Sequence, residues 1–200
     1  MINRGIESLD WRGLSRRRFL KAGLAVAGAF ALPSWLGGCA AGRATGPDGR
    51  PLLSLAQADA TTLAALAEAV LPQGRGFPSA VEAGVLRRID EELFFVDSSI
   101  RRDMAAAVGV LGYAPFLYGH VSRFASLEVE ARRSVLKSLM NSHIELLRAV
   151  GANMKILPTF FYFGHPATWK AMGYDGPFSH QPPILSEQRR WYAEQTRGTA

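Results

Sequence analysis

One cysteine, Cys39, stands in a chain of 200 residues. A single thiol cannot close an internal disulfide, and it cannot supply the several thiolates of a zinc site or an iron–sulfur cluster. No CxxCH occurs, so a covalently held c-type haem is excluded within the chain. Glycine-rich GxGxxG and P-loop patterns, HExxH and GxSxG are missing as well. No convincing alternation of apolar and polar residues marks a strand, and no segment repeats. Positive charge is also scarcer than the net +6 suggests. Within residues 1–38, Arg4, Arg12, Arg16, Arg17, Arg18 and Lys21 face only Glu7 and Asp10, a local excess of +4. The remaining 17 basic and 15 acidic residues nearly balance, and no basic run there exceeds two. The charge belongs to the front of the chain, so nucleic acid is not an expected partner.

That front segment has three parts in order. Residues 15–21 read Ser-Arg-Arg-Arg-Phe-Leu-Lys. They match the twin-arginine export pattern S/T-R-R-x-F-L-K at every position, with Arg16 and Arg17 as the pair and Phe19 and Leu20 as its apolar part. An alanine-rich apolar stretch follows over residues 22–36, interrupted by Pro33. Its 15 residues fall short of the roughly 20 that span a bilayer, which fits a signal segment rather than an anchor. Leu36-Gly37-Gly38-Cys39 then resembles a bacterial lipobox, making Cys39 a candidate for lipid attachment. The competing reading is ordinary cleavage near Ala40 or Ala41. Residues 1–38 are thus expected to direct export to the periplasm, and acyl chains on Cys39, if it is lipidated, would hold the mature protein on a membrane.

Residues 39–53 are small and rich in glycine and proline, and read as a flexible tether. A capping-box-like start at Ser54 opens a helix to about Leu71, with Leu63, Leu66 and Val70 at helical spacing. Ser79 caps a second helix whose Val81, Val85, Ile89 and Phe94 share a face, and Asp97 caps a third that runs to about Val110. The longest helix is expected from Ser126 to about Val150, with acidic residues near its start. A separate buried helix is expected over residues 157–163, a short one over 167–172, and a last turn near 186–194. The fold class is all-α: a small irregular helical bundle over residues 54–178, then an irregular tail over 179–200.

Chemistry is sparse. His120, His143, His165 and His180 form no i,i+3 or i,i+4 pair with another metal-binding side chain, and read as surface or capping residues. Asp90, Glu91 and Glu92 read as a solvated acidic face, and nothing favours a glycosidase-like carboxylate pair among them. Phe160, Phe161, Tyr162, Phe163 and Trp169 form an aromatic cluster suited to core packing or to a partner surface, with Tyr174 close behind. The twin-arginine route carries folded proteins, often with cofactors inserted, yet no cofactor motif is present. One resolution is that the cofactor sits on another subunit, and this chain supplies the export signal for both.

Three places resemble the gluconate 2-dehydrogenase subunit 3 family, the small subunit of membrane-bound flavin dehydrogenases. Residues 60–72 resemble its opening helix with a proline stop, and residues 78–85 its second helix entry. The most distinctive is residues 165–177, His-Pro-Ala-Thr-Trp-Lys-Ala-Met-Gly-Tyr-Asp-Gly-Pro, which resemble the family's closing segment. The resemblance implies a non-catalytic accessory subunit without a cofactor or metal of its own. It implies a large FAD-dependent partner of the glucose–methanol–choline type that oxidises a sugar, sugar acid or alcohol, and a cytochrome c subunit carrying haem. The small subunit would take the large one through the twin-arginine translocase and aid its maturation. The lipobox departs from the plainest family pattern, and the alternative is a stand-alone exported lipoprotein that binds other molecules.

Overall fold

The computed structural model describes residues 44–177 and 186–197. Among them are seven α-helices: α1 Gln57–Val70, α2 Val85–Phe95, α3 Ser98–Tyr113, α4 Val129–Met140, α5 Glu145–Phe163, α6 Pro166–Trp169 and α7 Glu187–Gln195. Short 3-10 turns lie at Ala114–Tyr118, Phe124–Ser126 and Lys170–Met172. The only extended pairing among the described residues is an isolated antiparallel bridge between Thr45 and Pro51. The chain is all-α, an irregular bundle.

α5 is the spine. It packs against α1, α2, α3 and α4, and α1 also lies against α2, α3 and α4. The core they enclose is aliphatic, built from Leu63 and Leu66 of α1, Val85 and Ile89 of α2, Val108 and Leu111 of α3, and Val135 and Leu139 of α4. Phe124 and Tyr162 fill its larger gaps. Tyr162 reconciles burial with its hydroxyl by donating to the Pro78 carbonyl at 2.6 Å. The C-terminal end of α1 presents unpaired carbonyls, and Arg133 of α4 answers one of them while its neighbour Arg132 pairs with a side chain of the same turn. Arg133 Nε donates to the Ala69 carbonyl at 2.8 Å, and Arg132 pairs with Glu68 while reaching the Ala125 carbonyl at 3.1 Å.

Five sequence expectations change. Residues 44–53 are no tether: Ala44 and Leu52 are buried in the core, and the segment folds back through the Thr45–Pro51 bridge. α1 begins after Ala56 with no side-chain cap from Ser54, and the N–H groups of residues 53–55 just before it are taken by Asp90. Ser79 does form a reciprocal box with Glu82, at 2.6 and 3.1 Å. It caps only a single turn, however, which Gly84 ends in the left-handed region (φ 59°) before α2 starts at Val85. The long helix expected over residues 126–150 is two. After Met140 the side chain of Asn141 donates back to the Lys137 carbonyl at 2.9 Å, and Ser142 Oγ takes the Ile144 N–H at 3.1 Å. These local bonds replace the helical ladder and turn the chain into α5. α5 then runs unbroken through the stretch expected as a separate helix, with Pro158 inside it. The Asp97 cap is as expected: its carboxylate accepts the Ser99 N–H at 2.7 Å.

Candidate functional site

Arg16, Arg17, Phe19, Leu20 and Cys39 lie outside the described residues, as does His180. The aromatic cluster is within them, and its members separate. Tyr162 is in the core; Phe161, Phe163 and Trp169 are half-buried. Phe160 is 70 % exposed and Tyr174 42 %. The division follows helical geometry. Phe160 and Ile156 are one turn apart on the outer face of α5, where Ala149 and Asn153 are also exposed. Ile156 is 61 % exposed. Phe160 leans edge-on against Phe161, with centroids 5.3 Å apart.

Residues 165–177 form a compact terminal unit. His165 Nδ1 accepts the Ala167 N–H at 3.2 Å and caps α6, in keeping with the capping role read from the sequence. The buried Thr168 hydroxyl donates to the His165 carbonyl at 2.8 Å, and Trp169 Nε1 donates to the Phe163 carbonyl at 3.3 Å. Tyr174 meets Trp169 edge-on at 5.3 Å. A Cβ at Gly176 would lie 3.3 Å from the Trp169 ring at a φ of 109°, so this glycine is required both by space and by backbone. The unit therefore presents Tyr174 and Met172 at the surface on a rigid support.

The acidic run departs most from its expected character. Asp90 is fully buried and Glu91 nearly so. Asp90 takes the N–H groups of Leu53 at 2.7 Å, Ser54 at 2.9 Å and Leu55 at 2.8 Å, and the hydroxyl of Tyr192 in α7. Four donors saturate its two oxygens, so it acts as an anion that fixes the backbone. Glu91 is held by Arg88 at 2.6 Å and by Arg189 at 3.0 Å. A signal for Asp90 was present: Leu86, Asp90 and Leu93 follow a 4-then-3 spacing, which puts the carboxylate on the apolar face of α2. Nothing in the spacing of Tyr192 pointed to its role.

Burial, and then the adjacent Asp90 carboxylate, push the Tyr192 phenol well above the usual tyrosine range. The Arg87 guanidinium grips Asp48 through two nitrogens, at 2.7 and 2.8 Å, and holds that carboxyl below its ordinary value. Together these pairs pin residues 44–55 to α2. Among the described residues no three His, Cys, Asp or Glu side chains are grouped to hold a metal ion, and no helix is long and apolar enough to cross a membrane. Compared with known proteins, the chain matches no family model, no curated protein and no solved structure.

Proposed function

We propose that this chain is the non-catalytic accessory subunit of a periplasmic FAD-dependent dehydrogenase of the glucose–methanol–choline type, whose catalytic subunit oxidises a sugar, sugar acid or alcohol. Its role is to supply the twin-arginine signal for export and to assist maturation of the flavin subunit. FAD belongs to that partner and c-type haem to a cytochrome subunit, with this chain held at the membrane when Cys39 is lipidated. The observation that carries the reading is the complete pattern at residues 15–21, with Arg16 and Arg17 at its centre. The resemblance of residues 165–177 to the closing segment of subunit 3 proteins supplies the identity of the partner.

The geometry supports a protein that works by contact. Ile156 and Phe160 stand exposed one turn apart on the bundle's central helix, beside the half-buried Phe161. Exposed aromatic and aliphatic side chains on a rigid helix are the usual anchors of protein interfaces. The test is to replace Arg16 and Arg17 together by lysine and to measure the partner's dye-linked dehydrogenase activity in periplasmic and cytoplasmic fractions. The activity is expected to stay in the cytoplasm with this chain. Activity that still reaches the periplasm would sink the carrier role.

A further inference from the structure

α7 is joined to α2 by three kinds of contact at once. The Tyr192 hydroxyl donates into Asp90, and Arg189 Nε donates to Glu91 Oε1 at 3.0 Å. The Trp191 ring stacks on Phe94, with centroids 5.0 Å apart and planes inclined by 29°, and meets Phe95 edge-on at 6.4 Å. The α2 face therefore offers carboxylates and aromatic rings, and the segment seated on it, though neutral overall with Glu187 and Glu194 against its two arginines, answers them with Arg189, Trp191 and Tyr192.

The two sides differ in how much they need each other. If α7 left, Asp90 would keep its three backbone N–H donors and Glu91 would keep Arg88. No buried anion would be stranded, which removes the main penalty of opening such a site. α7, in contrast, has nine residues, too few to hold a helix alone in water. Tyr192 is its only buried side chain, and Trp191 is 42 % exposed even when seated. The receptor is pre-formed, and its occupant is held by few groups.

We propose that Asp90, Glu91, Phe94 and Phe95 form a docking site for a helix of a partner protein that presents one arginine beside two aromatic side chains, and that α7 occupies this site in the free chain as an internal competitor. Charge complementarity defines the occupant: an arginine to reach Glu91, an indole to lie on Phe94, and a phenol to donate to Asp90, spaced as Arg189, Trp191 and Tyr192 are. The inference does not need the export reading. Because α7 is tethered, it competes at a high effective concentration, so weakening its own grip should open the site.

A fluorescein-labelled peptide of residues 186–197 tests this against the full-length protein by fluorescence anisotropy. Affinity is expected to be weak for the unaltered chain and at least about tenfold tighter when the chain carries Trp191→Ala with Tyr192→Phe, both of which weaken its own clasp. A peptide with Arg189→Ala should bind the opened chain about tenfold more weakly. Equal affinity for the two chains, or binding to neither, overturns the proposal. Should the double variant fail to fold, hydrogen exchange on the unaltered chain decides. Excess peptide must speed exchange of the α7 amides and leave α5 unchanged, and α7 amides indifferent to peptide overturn the idea equally.

Discussion

Asp90 concentrates more of the fold than any other polar residue described. It closes residues 53–55, its own helix and α7 on one carboxylate. Removing it in Asp90→Ala strands three backbone N–H groups and a buried hydroxyl. Part of that loss is recovered by water at the half-exposed Leu53 and Ser54, so the expected cost is about 3–5 kcal/mol. Urea unfolding checks it, and an unchanged midpoint would show that the carboxylate fixes nothing. Tyr192 makes a second, pH-dependent prediction. Its phenol is raised in the folded state, first by burial and then by the hydrogen bond to Asp90. The stabilisation is thus complete below the unfolded value of about 10 and is lost as pH rises from there toward the folded value. The unaltered chain should lose stability above about pH 10 more steeply than Tyr192→Phe. The variant should also lack the last phenolate step in an ultraviolet titration. Of these two residues the sequence betrays one. Asp90 sits in register with Leu86 and Leu93, whereas Tyr192 lies in a polar segment whose only claim to burial is a partner 102 positions away.

At the level of elements, the sequence reveals helices better than their ends. The Asp97 cap is local chemistry and is readable. The break between α4 and α5 is also local, since Asn141 and Ser142 bring side chains that compete with the helical ladder, but a continuous apolar period on either side masks it. The ordering of residues 44–53 is not local at all. Glycine and proline there give the composition of a tether, while the segment's donors are claimed by Asp90 and its Asp48 by Arg87. Helix packing contributes a prediction at Gly151. A Cβ at this site would lie 2.9 Å from Leu139 Cβ and 2.9 Å from the Met140 backbone nitrogen, so α4 and α5 approach closely only because the side chain is absent. Gly151→Ala forces the helices apart and is expected to cost about 1–3 kcal/mol despite alanine's better helix propensity. Thermal unfolding of the variant measures the sign. A rise in Tm would mean that the α4–α5 contact yields without strain.

For the whole molecule, the proposed role requires two separable parts: a signal that directs export and a surface that holds the partner. The proposed signal is a linear pattern, residues 15–21, and so can be read from sequence alone. The surface is legible only as a composition, since the run 160–163 divides between core and solvent according to helix rotation. The fold decides that Phe160 points out and Tyr162 in. This separation gives a combined experiment. Ile156→Ala with Phe160→Ala removes side chains that are more than half exposed, so folding stability should change by no more than about 0.5 kcal/mol. The variant keeps Arg16 and Arg17 and should itself reach the periplasm in normal amounts. If the outer face of α5 holds the flavin subunit, that subunit's activity should stay behind in the cytoplasm, as expected for the lysine pair at positions 16 and 17, but now without its carrier. A variant chain that still brings the dehydrogenase out in full would remove this face from the interface. If the partner's location ignores both pairs of substitutions, the chain travels alone, and the reading that survives is that of a separately exported lipoprotein.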